Sequence, residues 1–477
     1  MLTSLILSNM DPFYIYKHLP ICLQNLLVSY QGGRLEKLRY NDTFWRIMEE
    51  SNDIDSWSAS KIKEYKEAKL FQIIDYAYKH VPFYKSFYDS YGVSPKSFTG
   101  IEDLSRFPIL RKNDIRLHLN EMISDEFQRS ELIKYHTSGS TGMALDFFWS
   151  KQNIAYYWAM VWRGRARYGV RKGDLSLNLT GKLVCPFEQI KPPYWRYNKP
   201  GNQFFLNMQH LTKEKISSII PFLNQNQFAF FSGYPSIINM LAFMIEDSGM
   251  NLLYSPRYIF TSAEKLYSYQ KRQIEKLFNG SKVIEHYGFA EEAACANKCK
   301  AGHYHEEFQL GHMELVDTTI SDKGTTGKLV VTGIQNLAMP LIRYDVGDTA
   351  TFTDRECSCG LKSQMIVDIE GRNEDYIVTP EGARVMRFGN VFKNTKSIRE
   401  CQVVQRAPES LVFRIVRYDD YSMETEREIK KRVHEIISPS LKVEFEYVNE
   451  IERTKSGKFK AVINEVGNEN NISRIRY

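Results

Sequence analysis

At 477 residues the chain exceeds one ordinary hydrophobic core and is expected to divide into two or three domains. Hydrophobic residues at 43% and charged residues at 25% are those of a globular protein, which excludes disordered and fibrous classes. A net charge of +6, drawn from 63 basic and 57 acidic residues without a long basic run, argues against a dedicated nucleic-acid surface, and no apolar run is long enough to predict a membrane span.

The apolar run Leu5-Ile6-Leu7 is too short for a signal peptide and lacks a basic flank, and seven cysteines in a chain this long suit a reducing compartment, so a cytoplasmic protein is expected. Residues 12–60, with Pro20, Gly32 and Gly33 among apolar pieces, read as short helices laid against a larger body. Between residues 60 and 91, Leu70, Ile73, Ile74, Tyr76 and Ala77 share one helical face, and Val81-Pro82-Phe83 interrupts the pattern. Arg111-Lys112-Asn113-Asp114 reads as a further helix start.

Next comes Thr137-Ser138-Gly139-Ser140-Thr141-Gly142, two glycines with four hydroxyl residues. Backbone N–H groups of such a loop can turn on an anion, and the hydroxyls add donors without bulk. Helical residues follow from Ser150 to about Arg167, which would set the loop near a helix start, where negative charge is favoured. By composition alone the hexapeptide is more readily a surface turn.

Short apolar runs at 175–179, 228–232, 258–262 and 283–286 alternate with helical stretches and predict an α/β domain with largely parallel strands. Ligands of such sheets bind beyond the carboxyl ends of the strands. From 308 to 352 the pattern turns to β, as in a meander or small barrel. From about residue 375, strands at 402–405, 411–416 and 442–448 with a helix at 424–437 form a small α+β module. The expected organisation is a large N-terminal domain, 1–373, with α/β sheets and a β-barrel-like part (308–365), then a small mobile α+β domain, 374–477.

Four stretches line up with the Gly/Ser loop in chain order: Glu285-His286-Tyr287-Gly288-Phe289-Ala290-Glu291, Arg343-Tyr344-Asp345-Val346-Gly347-Asp348, Gly371-Arg372-Asn373-Glu374-Asp375 and Thr454-Lys455-Ser456-Gly457-Lys458. With Val81-Pro82-Phe83-Tyr84 and Leu19-Pro20-Ile21-Cys22-Leu23-Gln24-Asn25, the series resembles the adenylate-forming enzymes over nearly the whole chain. Within them it is most similar to the phenylacetate-CoA ligase-like branch and its CapK-type proteins of capsular polysaccharide biosynthesis.

The resemblance implies a two-step ligase that uses ATP and magnesium. Thr137, Ser138, Gly139, Ser140, Thr141 and Gly142 would hold the β- and γ-phosphates. Ala263, Glu264, His286, Tyr287, Gly288 and Asp348 would bind the nucleotide, with Tyr287 on adenine and Asp348 on the ribose hydroxyls. Glu291 would hold magnesium, Arg372 would touch ribose or phosphate, and Lys458 would meet the α-phosphate, these three forming the catalytic set. Glu374 stands at the hinge, and Gly233-Tyr234-Pro235 with residues 260–264 would wall the acyl pocket. The chain departs from the family pattern at Met143-Ala144, where a Lys often stands, at Ala290 in place of Ser or Thr, and at Glu374 in place of Asp or Lys.

Cysteines and histidines fall in two clusters, Cys295 to His305 and Cys357-Ser358-Cys359, a supply that fits a closed structural zinc site. The resemblance selects Cys299, His305, Cys357 and Cys359, with Cys295 and His303 in reserve; buried unligated cysteines are the alternative. Expected partners are a small carboxylic or uronic-acid-type substrate and an amine or thiol acceptor, CoA among the thiols, with no nucleic acid and a monomer or homodimer as the assembly. Two other readings share these residues: an aryl- or acyl-CoA ligase, and a catalytically reduced nucleotide-binding component of a polysaccharide assembly system.

Overall fold

A computed structural model describes residues 12–136, 145–179, 184–186, 188–207, 210–370, 377–380, 384–385, 391, 398–419, 421–453 and 459–466. The first described elements are helices α1 (Pro12–Lys17), α2 (Ile21–Arg39), α3 (Asp42–Asp55), α4 (Ala59–His80) and α5 (Pro82–Ser90). Local sequence marks their ends: the Asn41 side chain accepts from Thr43 and Phe44 N at the start of α3, Ser58 caps α4, and Pro82 opens α5 after the break at Val81. Gly32 and Gly33 do not break α2, which runs through both for 19 residues. The reason is tertiary: a Cβ on Gly32 would lie 1.9 Å from the Asn198 side chain, so glycine lets helix and strand approach closely.

After α6 (Lys112–His118), strands β1 (Ile133–His136) and β2 (Asp146–Trp149) pair antiparallel, with His136 opposite Asp146. The Gly/Ser loop therefore joins two paired strands, and β2 stands between it and α7 (Lys151–Ala166), which Ser150 caps. The helix begins at the expected Ser150. Thr137, Ser138, Gly139, Ser140, Thr141 and Gly142 themselves lie outside the described residues, as do Arg372, Glu374 and Lys458.

The next strands are β3 (Ser176–Leu179), β4 (Trp195–Asn198), β5 (Gln203–Leu206), β6 (Phe230–Gly233), β7 (Tyr258–Thr261) and β8 (Lys282–Gly288), with helices α8 (Ile216–Gln225), α9 (Pro235–Ser248) and α10 (Ser268–Leu277) between them. Strands β5, β3, β6, β7 and β8 run parallel, as the alternating pattern predicts, and β4 adds an antiparallel edge. Both faces of this half are buried. Phe231, Ile259 and Val283 pack into one core with α8, α9 and α10; Phe230, Phe260 and Ile284 pack on the other side with Phe44 and Ile47 of α3 and Ala155 and Ala159 of α7.

Strands β9 (Cys295–Lys298), β10 (Tyr304–Glu306), β11 (Gly311–Ser321), β12 (Gly324–Gly333), β13 (Tyr344–Thr353) and β14 (Met365–Glu370) continue the same sheet antiparallel, in the order β11-β12-β13-β14-β10-β9-β8. The β-rich stretch is thus a meander that extends the large sheet; among the described residues it closes into no barrel. Strand β8 is the seam. Its residues 282–285 pair parallel with β7, and His286, Tyr287 and Gly288 pair antiparallel with β9.

Toward the C-terminus, β15 (Ile377–Val378) and β16 (Arg384–Val385) form a short pair, followed by β17 (Ile398–Ala407), β18 (Ser410–Arg417), helix α11 (Met423–Ile436), β19 (Lys442–Tyr447) and β20 (Val462–Asn464). Four of these strands make a separate sheet, β19-β18-β17-β20, whose core of Val403, Leu411 and Phe413 takes Ile429 and Val433 from α11. This unit leans on α9, where Asn239 Nδ2 donates to Arg399 O at 3.2 Å and Tyr418 OH donates to Glu246 at 3.2 Å. Among the described residues no helix is long and apolar enough to cross a membrane.

Candidate active site and candidate metal centre

The seam strand β8 carries the motif residues out of the sheet, and β13 meets them. Tyr287 OH donates to Asp348 Oδ2 at 2.6 Å, and Tyr344 OH donates to Glu291 Oε1 at 2.8 Å. Each motif thus lends a tyrosine to hold the other's carboxylate. Asp348 and Glu291 are 9% and 7% exposed, where an unheld carboxylate would be costly, so the phenols fix both groups in one orientation. Arg343 has φ of 50° and points elsewhere: its guanidinium pairs with Glu314 at 2.8 Å and donates to Phe107 O, anchoring the motif to the N-terminal layer.

His286 is held on both nitrogens. Asn297 Nδ2 donates to Met160 O and to Glu307 Oε1, both at 2.9 Å, so Asn297 Oδ1 is left to face His286 Nδ1 at 2.8 Å. An acceptor there requires the proton on Nδ1, leaving Nε2 to accept from Tyr157 OH at 3.3 Å. Burial depresses the imidazole to about 4, which keeps this neutral tautomer. Gly288 is forced by the same cluster: a Cβ would sit 2.7 Å from Tyr157 OH and 2.8 Å from His286 Nε2. Behind it, Arg167 bridges Asp55 and Glu307, tying α3 and α7 to the seam.

Glu264, at the end of β7 beyond Ala263 with φ of 68°, does something the sequence does not foretell. Its carboxylate accepts from Ser236 N at 3.2 Å, at the start of α9, and from Phe459 N at 2.6 Å, in the C-terminal unit. Burial raises this carboxyl, and the two N–H donors counter it. Phe459 directly follows Lys458 in the sequence, and the contact seats Phe459 at the end of β7. Sequence reasoning also passed over Glu292. It is 8% exposed, has φ of 51°, and its Oε2 has no hydrogen-bond partner among the described residues.

The cysteine clusters converge at one end of β9, β10 and the β13–β14 connection. Ligand atoms of Cys299, His305, Cys357 and Cys359 all lie within 4.8 Å of one another. The Cys299 and Cys357 sulfurs are 3.7 Å apart, and Cys359 Sγ is 3.4 Å from His305 Nε2. A tetrahedral zinc with ordinary Zn–S and Zn–N bonds sets such pairs at about 3.8 and 3.5 Å, so these two pairs match the spacing that the ion requires. His305 Nδ1 faces Ser363 O at 3.3 Å, which leaves Nε2 as the ligand atom. His303 lies beside Cys357 at 3.5 Å, whereas Cys295 is buried in the core with Leu310 and Phe260.

The chain is similar to several known proteins. Residues 377–465 match the family model of the CapK C-terminal domain. Protein CapK of Staphylococcus aureus is 28% identical over 466 residues, covering 95% of this chain and 99% of the relative. Phenylacetate-coenzyme A ligase of Thermus thermophilus is 27% identical over 337 residues, covering 68% and 74%. In fold, the chain is similar to the crystal structure of 2-hydroxyisobutyryl-CoA ligase in its postadenylation state, with a TM-score of 0.68 at 19% identity over 86% of this chain and 91% of that one. In sequence the chain is similar to CapK-type proteins over nearly its whole length and to phenylacetate-CoA ligases over two thirds of it, and it shares the fold of an acyl-CoA ligase.

Proposed function

We propose that this protein joins a carboxylic acid to the α-phosphate of ATP, with magnesium, and passes the acyl group to an amine or thiol in the making of a capsular or surface polysaccharide. In the first step a carboxylate oxygen bonds to the α-phosphorus and pyrophosphate leaves. In the second, nitrogen or sulfur of the acceptor bonds to the acyl carbon and AMP leaves. The first step needs positioned reactants and cancelled charge more than acid–base groups.

In this reading Thr137 to Gly142 cradle the β- and γ-phosphates. Glu291 supplies a hard oxygen ligand for magnesium, which neutralises phosphate charge when bound. Asp348 accepts from the ribose hydroxyls while Tyr287 fixes its carboxylate. Lys458 meets charge building on the α-phosphate, Arg372 steadies the nucleotide, and the C-terminal unit turns about Glu374 between the two steps. Cys299, His305, Cys357 and Cys359 hold a structural zinc away from the chemistry.

One observation carries the reading: Phe459 N on Glu264 brings the residue after Lys458 to the end of β7, beside the strand that leads to Glu291. Exchange of labelled pyrophosphate into ATP, dependent on added acid and run over an acid panel, tests it. No exchange with any acid refutes adenylation and favours a nucleotide-binding component. The phenylacetate-CoA ligase relatives favour CoA as acceptor; product masses with CoA, amino acids and amino sugars then separate thioester from amide.

A further inference from the structure

Glu292 is the feature that the proposed reaction leaves unused. It follows the magnesium candidate Glu291 directly, it is 8% exposed, and its Oε2 is buried with no hydrogen-bond partner among the described residues. Its backbone is held at φ of 51°, a region that costs a non-glycine residue about 1 kcal/mol or more and recurs at functional sites. A buried carboxylate oxygen left unpaired is a standing penalty, and such orphans in native structures mark places where a ligand or ion completes the bonding.

The surroundings say which ligand. Glu292 is near enough to Tyr157 and Tyr135 that its charge adds to the burial that pushes both phenols up. Tyr157 cannot satisfy it, because its hydroxyl proton is committed to His286 Nε2. Tyr135 closes the last strand before the Gly/Ser loop, is 45% exposed, and stacks on Trp149 at 4.5 Å, so it forms an accessible flat wall. On its other side Tyr135 acts on Tyr234, a residue of the expected acyl pocket. Burial pushes the Glu292 carboxyl well above the usual carboxylate range, and Arg39, held over the Trp158 ring at 3.9 Å, only partly counters it. A carboxyl that burial biases toward its neutral form, with Oε2 unfilled, pairs with a neutral hydroxyl more readily than with a cation.

We propose that Glu292 is a specificity-determining residue whose Oε2 accepts a hydrogen bond from a hydroxyl of the substrate, so that the acid activated here is a hydroxylated one, of the sugar-acid or hydroxy-acid class, and not an aryl or alkyl acid. The inference rests on the ligase reading above. An acid without the hydroxyl would bury Oε2 unpaired, and sites built around such a bond reject the analogue lacking it strongly.

The test is pyrophosphate exchange with paired acids: glucuronate and galacturonate against cyclohexanecarboxylate, lactate against propionate, and phenylacetate, in wild type, Glu292→Gln and Glu292→Leu. Wild type is expected to favour the best hydroxylated acid over its partner by about a hundredfold or more in kcat/KM. Glu292→Leu should bring that ratio to within about tenfold, with KM for ATP unchanged, and Glu292→Gln, which keeps shape and one acceptor, should fall between. Melting curves screen the variants for folding, and the wild-type ratio stands independently of them. Efficient exchange with phenylacetate or an alkyl acid overturns this inference and leaves adenylation standing, as does a Glu292→Leu protein that keeps the wild-type ratio. Exchange with no acid overturns both.

Discussion

Glu264→Ala is the perturbation that most directly probes how the C-terminal unit meets the large sheet. Wild-type Glu264 Oε1 accepts from Phe459 N at 2.6 Å, a short bond to a charged acceptor, and Oε2 accepts from Ser236 N at 3.2 Å. A hydrogen bond to a charged group contributes about 1.5–3 kcal/mol. Removing it lowers the population of the arrangement that keeps Phe459 at the strand end by a factor of about 10–150, at 1.4 kcal/mol per tenfold. In the proposed reaction only the adenylation step calls on Lys458, so only that step is expected to need the arrangement. Acid-dependent pyrophosphate exchange should therefore fall by up to that factor, while acyl transfer from supplied acyl adenylate stays within about twofold of wild type. Glu264→Gln, which retains an acceptor without the charge, should lose less. If exchange is unchanged in Glu264→Ala, or both half-reactions fall together with an intact melting curve, the docking argument is wrong.

Purified chain without an affinity tag should contain about one zinc per molecule, and Cys359→Ser should bring this below half and lower the melting temperature, as read by atomic emission and thermal melts. Gly288→Ala should cost about 1–3 kcal/mol in urea unfolding and slow exchange, because the new methyl displaces Tyr157 OH from His286. His286 titrates near 4 in the folded chain against about 6.5 unfolded, so its contribution is full above pH 6.5 and is lost as pH falls toward 4. That contribution is about 3 kcal/mol at most, and His286→Gln should flatten the acid limb of the stability–pH curve by a corresponding amount. Burial pushes the Glu306 carboxyl up, but Lys66 at 2.7 Å and His312 more than offset it and bring it to about 2. Lys66→Met should strand that charge and cost about 3–5 kcal/mol, and adding Glu306→Gln should recover part of it.

What could be read from the sequence is what local chemistry decides. The parallel strands announce themselves because both faces are buried, so Phe230-Phe231 and Ile259-Phe260 are continuous apolar runs feeding two cores. Ser150 and the Val81-Pro82 break are similarly local. What stayed hidden depends on partners far along the chain. Gly32 looks like a helix breaker until Asn198 is beside it. Tyr287 and Tyr344 read as core or stacking rings, yet their hydroxyls are committed to carboxylates 61 and 53 residues away. Glu292 gives no signal beyond a second acid after Glu291, because a positive φ in a non-glycine residue leaves no mark in the sequence.

Glu264 makes the same point about function. Family resemblance assigns it to nucleotide binding, a role that a carboxylate at the end of a parallel strand makes reasonable. In the folded chain its oxygens face Ser236 N and Phe459 N, the latter 195 residues on, so the group holds a segment of the C-terminal unit against the end of β7. Nucleotide binding and docking make opposite demands on the same oxygens. A carboxylate occupied by two backbone donors has little left for a ligand, whereas Glu291 has one oxygen held by a phenol. Nucleotide affinity and docking can therefore be separated by mutation: Asp348→Ala should raise the KM for ATP, and Glu264→Ala should lower the exchange kcat with that KM little changed.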